Sequence, residues 1–237
     1  MIVAANFKMH KTRKEVKRYL EELEKMDFGN VKVAVFPPFT ALFEKDYIGA
    51  QNAYPAINGA YTGEIGLEQL NEFNIKTILL GHSERRHIIG ESQEFIAEKF
   101  KFYAEREFEI FYCIGEPLEI RKKGIGAVIE YLKEQIVGID MEYKNLVIAY
   151  EPVWAIGTGV SASIEEIKET HAKIRELTKN PILYGGSVKL NNISEILDIE
   201  NVDGVLVGSA SLEVETFKEM IKIAKEKKWL CKEKKVL

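Results

Sequence analysis

Ala149-Tyr150-Glu151-Pro152-Val153-Trp154-Ala155-Ile156-Gly157-Thr158-Gly159 places one carboxylate where an apolar strand gives way to a glycine-bearing loop. Leu146 to Tyr150 reads as a buried strand, because it is a short continuous apolar run followed by turn-forming residues. Pro152 biases Glu151 away from the helical region, and Gly157 and Gly159 supply backbone freedom further on. The loop therefore reads as a lid hinged beside Glu151, with Trp154 exposed on it. The alternative is a surface loop carrying a solvated glutamate.

Working outward, apolar runs of strand type recur at 2–5, 31–36, 48–50, 77–80, 110–114, 146–150, 182–184 and 205–207, and amphipathic stretches follow most of them. Thr12 and Glu15 form a capping box ahead of Val16, Tyr19, Leu20 and Leu23 at helical spacing. Ser163 and Glu166 form another, ahead of the stripe Ile164, Ile167, His171, Ile174 and Leu177, on which His171 reads as a packing residue. Eight strand–helix alternations, with no linker between the halves, predict a single α/β domain over residues 1–237, folded as a (β/α)8 barrel. A doubly wound open sheet also alternates strands and helices, but no G-x-G-x-x-G follows the first strand. Residues from about 225 to 237 read as a basic C-terminal helical extension carrying Trp229 and Leu230.

The 237 residues are 46% hydrophobic, ample for a sizeable core, and the net charge is −4 with both signs interspersed. That balance leaves no electrostatic footprint for nucleic acid. Cys113 and Cys231 cannot make a disulfide framework, and Cys113 reads as a packing residue. No run is long enough to span a bilayer and no signal-type segment precedes Ile2, so the expectation is a soluble, cytoplasmic protein without membrane partners.

In a parallel barrel the carboxyl ends of all strands open on one face, so residues far apart in sequence converge there. Asn6 and Lys8 follow the first strand, His82, Ser83 and Glu84 follow the 77–80 strand, and Glu151 follows the 146–150 strand. A cation, a histidine and a carboxylate at one mouth can bind an anion, polarise a carbonyl and remove a carbon-bound proton. Taken singly, Lys8 reads better as a solvated loop lysine, His82 as a helix cap and Glu84 as a partner for Arg85 or Arg86; it is the three together, at three separate strand ends, that point to a site. The turns Tyr184-Gly185-Gly186-Ser187 and Val207-Gly208-Ser209 offer backbone N–H groups to a phosphate. No cluster of His, Cys or Asp suggests a metal, and no organic cofactor is implied.

Asn6-Phe7-Lys8-Met9, Gly81-His82-Ser83-Glu84-Arg85-Arg86, the 149–159 stretch and Tyr184-Gly185-Gly186-Ser187-Val188 resemble the triosephosphate isomerase family, and the likeness runs through all but the last several residues. The resemblance implies a TIM barrel interconverting dihydroxyacetone phosphate and glyceraldehyde 3-phosphate, within glycolysis or gluconeogenesis. It implies that Glu151 is the proton-shuttling base, His82 the electrophile, Lys8 the anion's counter-charge with Asn6 beside it, and Glu84 an ion-pairing carboxylate that holds the site together. It assigns phosphate binding to backbone N–H groups of Gly157, Ser187, Gly208 and Ser209. A neutral histidine and a closing loop that excludes water come with the family rather than from the residues. Asn58-Gly59-Ala60-Tyr61-Thr62-Gly63-Glu64 resembles the family's protruding loop and implies a homodimer, although composition alone favours an ordinary turn-rich loop.

Two residues depart from the family pattern: His10, where Asn is common, and Ser209, where a second Gly is common. A phosphate-binding synthase or aldolase would want a Schiff-base lysine inside a later strand. A non-catalytic relative would be expected to lack Glu151 or Lys8.

Overall fold

The computed structural model describes residues 1–155 and 161–233, with side chains described through Lys227. Seven parallel strands, β1 (Ile2–Asn6), β2 (Lys32–Phe36), β3 (Thr77–Leu80), β4 (Glu109–Ile114), β5 (Leu146–Tyr150), β6 (Ile182–Tyr184) and β7 (Gly204–Val207), form one sheet in the order β2-β1-β7-β6-β5-β4-β3. The expected strand at 48–50 is a three-residue segment with one parallel bridge on each side, Val35 to Ile48 and Ala50 to Ile78. Gly49 N donates to Val35 O at 2.9 Å and Leu79 N to Ala50 O at 2.8 Å, so the segment joins β2 to β3 and the barrel nearly closes. Its shortness has a steric cause. A Cβ on Gly49 would lie 2.4 Å from the Phe36 ring, so the segment threads a gap that only glycine fits.

Period-two alternation splits the strands into two apolar layers. Ile2, Ala4, Ala34, Phe36, Leu79, Phe111, Cys113, Val147, Ala149, Leu183 and Leu206 fill the barrel interior. Their neighbours, such as Val3, Ala5, Ile110, Ile148 and Val205, pack outward in the cluster shared with the helices. Glu151 continues the parity of Val147 and Ala149, and Asn6 that of Ile2 and Ala4. The pleat therefore aims both polar groups along the interior as their strands end.

The helices are α1 (Arg13–Leu23), α2 (Leu67–Asn71), α3 (Ser83–His87), α4 (Gln93–Ala104), α5 (Leu118–Arg121), α6 (Ile125–Glu134), α7 (Ile164–Arg175), α8 (Ile193–Ile196) and α9 (Val214–Glu233). Both expected capping boxes are present, with Thr12–Glu15 starting α1 and Ser163–Glu166 starting α7. The buried stripes match the spacing: Val16, Tyr19, Leu20 and Leu23 on α1, and Ile167, Thr170, His171 and Ile174 on α7. Leu177 lies past the end of α7. The backbone of α9 runs on to Glu233; the side chains of Trp229 and Leu230, on which the extension was read, lie outside the described ones. No described helix is long and apolar enough to cross a membrane.

Candidate active site

A cavity of about 590 Å³ opens at the carboxyl ends of the strands, lined by Asn6, Lys8, His10, His82, Glu84, Glu151, Gly185, Gly186, Ser187, Gly208 and Ser209 among others. Every expected site residue within the described part of the chain therefore reaches one space. Gly157 lies outside the described residues, as does the rest of 156–160 within the loop expected to act as a lid.

Two side chains set the Lys8 end. Asn6, 4% exposed, accepts from Lys8 N through Oδ1 at 2.9 Å. Gln51 Nε2 donates to the carbonyls of Lys8 and Phe36, each at 2.8 Å. These bonds hold Lys8 at φ +50°, a left-handed conformation that a lysine rarely adopts, which turns its chain into the mouth. Its ammonium donates to Glu84 Oε1 at 2.7 Å, so Glu84 pairs with Lys8 and not with Arg85 or Arg86.

His82 is the N-cap of α3, and its Nδ1 accepts from Glu84 N at 3.3 Å. An Nδ1 that accepts carries no proton, which leaves the ring's proton on Nε2. The 3.5 Å approach of Glu84 Oε2 to Nδ1 brings acceptor to acceptor and is not a bond in that tautomer. Nε2 faces Glu151 Oε1 at 3.1 Å, while Ser83 N approaches Glu151 Oε2 at 3.4 Å. Glu151 is 3% exposed. Burial pushes its carboxyl up, but the His82 contact, the Lys8 charge and the Ser83 N–H together hold it below the usual glutamate value.

Glu151 also depends on two close backbone approaches. A Cβ on Gly185 would lie 2.7 Å from Glu151 Cγ, and one on Gly115 would lie 1.7 Å from Glu151 O. Cys113 sits beneath, fully buried, and burial with the nearby Glu151 charge pushes its thiol well up. It is therefore a protonated packing group and not a nucleophile.

Across the mouth, Ser187 stands in the turn after β6, where its carbonyl accepts from Asn192 Nδ2 at 2.9 Å. Gly208 precedes a short 3-10 turn, Ser209–Ser211, pinned by Ser211 Oγ on the Gly208 carbonyl at 2.7 Å. Lys8 Cε lies 3.7 Å from where a Gly208 Cβ would be, so lysine and turn share one corner.

A family model described as triosephosphate isomerase matches residues 1–224. The chain belongs to the triosephosphate isomerase family. It is 59% identical to the triosephosphate isomerase of a Nitratiruptor species over 95% of this chain and 99% of that one. It is 58% identical to that of a Sulfurovum species and 57% to that of Wolinella succinogenes, each over 93% of this chain and 99% of the other. Family membership makes it an isomerase on a TIM barrel.

Some residues that brace the mouth from beside it were missed in the sequence. Glu116, fully buried after β4, accepts on Oε1 from Arg121 Nε at 2.8 Å, Trp154 Nε1 at 3.0 Å and Tyr150 OH at 3.1 Å. Trp154 is consequently half-buried and tied down in the turn after Glu151, and not exposed as its loop setting suggested. Arg86 braces the strand ends by bonding Gly81 O at 2.7 Å and Cys113 O at 3.2 Å. The strand-end rule that found Glu151 would have flagged Gln51, which directly follows the 48–50 run, and Glu116, two residues past the 110–114 run. Arg86 carries no such signal.

Proposed function

We propose that this mouth interconverts dihydroxyacetone phosphate and D-glyceraldehyde 3-phosphate through an enediolate. The observation that carries the reading is the Glu151 carboxylate 3.1 Å from His82 Nε2, inside a cavity that also holds Lys8 and the glycine turns. Glu151 takes a proton from the carbon next to the carbonyl, and the electron pair moves onto the carbonyl oxygen. The His82 Nε2–H hydrogen-bonds that oxygen as its charge grows, and Lys8 adds a fixed positive charge beside it. The hydroxyl proton on the first carbon passes by way of His82 to the former carbonyl oxygen, and Glu151 returns its proton to the neighbouring carbon, leaving the new carbonyl on the first. Substrate and product are isomers, so the cycle balances with no redox partner, and the reading includes neither metal nor cofactor.

Asn6 holds Lys8 and Glu84 orients its ammonium. The phosphate lies on backbone N–H groups of Gly157, Ser187, Gly208 and Ser209, where Ser209 serves as well as glycine because only its main chain is used. Closure of residues 152–162 would keep water from the enediolate, which otherwise can expel phosphate.

The same reading takes residues 1–237 as one domain with a basic extension from about 225, in the cytoplasm and without nucleic-acid or membrane partners. It takes the 58–64 loop into a homodimer contact. Exposed Ile57 beside that loop and Tyr61 within it support the contact, with the Tyr61 ring tilted against Tyr54 at 4.2 Å between centroids. A coupled assay of triose phosphate interconversion with purified protein tests the reaction. Turnover in both directions is the expected result, and its absence in folded protein would overturn the proposal.

A further inference from the structure

We infer that Gln135, on the outside of the barrel, is a positioning residue for Glu151. It caps the C-terminus of α6 and is 7% exposed. The ladder between β4 and β5 ends with Ile114 opposite Tyr150, so the next peptide groups of the β4 chain need other partners. Gln135 meets both polar groups of Gly115: Gly115 N donates to Gln135 Oε1 at 2.8 Å, and Gln135 Nε2 donates to Gly115 O at 3.0 Å. Tyr112 OH donates to the Gln135 carbonyl at 2.6 Å, which fixes the clamp's own backbone to β4.

The clamped segment is the bed on which the base lies. Glu151 N donates to Ile114 O at 2.7 Å and Val153 N to Glu116 O at 3.0 Å, one bond on each side of Gly115. Between them Gly115 packs so tightly under the Glu151 carbonyl that no side chain fits there. A shift of the 114–116 backbone therefore moves the Glu151 backbone with it. Gln135 does not line the cavity, and the hydrogen bonds it makes to Gly115 and Tyr112 reach no residue that meets substrate in the proposed cycle, so its effect is on where Glu151 sits and not on how the anion is held.

This inference rests on Glu151 being the base, and the test separates the two. Gln135→Met keeps the length of the side chain and removes both amide groups. At a temperature where circular dichroism shows the variant folded, kcat should fall on the order of 10- to 100-fold, as expected for a misplaced catalytic group. KM and the inhibition constant of inorganic phosphate should stay within about twofold, because the anion site is untouched. An unchanged kcat, or a loss shared between kcat and phosphate binding, overturns the inference. Should Gln135→Met fail to fold, Gln135→Glu keeps an acceptor for Gly115 N and must show the same split, or the inference falls. Glu151→Gln is measured alongside. Turnover in that variant refutes the base, whereas a dead Glu151→Gln with unaffected Gln135 variants refutes only the positioning role.

Discussion

The barrel holds paired versions of the same residue, one lining the mouth and one in the wall beside it. Glu151 and Glu116 end adjacent strands and are 3% and 0% exposed. Glu116 Oε1 is saturated by Arg121, Trp154 and Tyr150. Glu151 has the His82 ring on one oxygen and a long 3.4 Å approach from Ser83 N on the other. Burial is thus common to both, and what separates a candidate base from an anchor is where the carboxylate faces: Glu151 lines the cavity, whereas Glu116, whose Oε2 is buried without a hydrogen-bond partner among the described residues, does not. Glu151→Gln should lower turnover by on the order of 10²- to 10⁴-fold while leaving the denaturation midpoint near the parent's. Glu116→Gln should do the reverse. It leaves the Arg121 guanidinium, 11% exposed, without its anion, a loss of about 3–5 kcal/mol by urea denaturation. If Glu116→Gln abolished turnover without loss of stability, the distinction between the two glutamates would fail.

The lysines divide by burial instead. Lys8 and its partner Glu84 are 23% and 41% exposed, so the ammonium meets solvent and has donors to spare. Lys99 and Glu91 are 0% and 4% exposed, and Lys99 also donates to Asn52 Oδ1 at 3.0 Å and lies 4.4 Å from the Phe95 ring centroid. Burial lowers the Lys99 pKa, and the Glu91 carboxylate partly restores it. Lys8→Ala should weaken kcat/KM by on the order of 10- to 100-fold or more, from the loss of a charged hydrogen bond of about 1.5–3 kcal/mol. Lys99→Met should keep kcat/KM near the parent's and lower the midpoint of urea denaturation. Equal catalytic losses in the two variants would break the comparison.

These contrasts also mark what was legible in the sequence. The barrel was, because seven of its strands are dense apolar runs and two of its helices start with capping boxes. The 48–50 strand was legible only as a run; its reduction to single bridges depends on Phe36 crowding Gly49, a contact between separate strands. Asn6, Lys8, His82, Glu84 and Glu151 were found because the strand-end rule needs only local order. Their pairing was not, since Lys8 is 76 residues from the Glu84 it bonds and owes its posture to Gln51. Nor was Gln135, which reads as one more polar residue at a helix end. Trp154 was misread because Glu116, its partner across 38 positions, cannot be seen from the loop itself.

The histidines make the smallest and most specific contrast. His82 turns Nε2 toward Glu151 and the cavity. His171 lies on α7, fully buried, with Nδ1 bonded to Asn201 O at 3.0 Å and the rings of Tyr150 and Tyr184 at 5.7 and 6.3 Å. Its Nε2 has no hydrogen-bond partner among the described residues, so a proton there would be buried without an acceptor. Burial accordingly lowers its pKa from the ordinary 6.5 to about 4, with the Asn201 bond opposing. In the unfolded chain His171 binds a proton as pH falls through 6.5, whereas the folded chain refuses it until about 4. Its contribution to stability is therefore complete above that upper value and is lost as pH falls, at up to about 1.4 kcal/mol per pH unit. His87 shifts in the same direction, lowered by burial and the Arg86 charge, so the parent's slope alone does not isolate His171. The carboxylates held low, Glu91 and Glu151 among them, begin to lose their contributions only below the ordinary glutamate value of 4.5. Urea denaturation of the parent and of His171→Phe at half-unit steps between those two limits should show a steep slope in the parent and a shallower one in the variant. Assayed above pH 7, His171→Phe should turn over substrate at close to the parent rate, whereas His82→Gln should not. Parallel stability slopes for parent and His171→Phe would mean that His171 is protonated in the fold, and the line drawn between the two histidines would have to be moved.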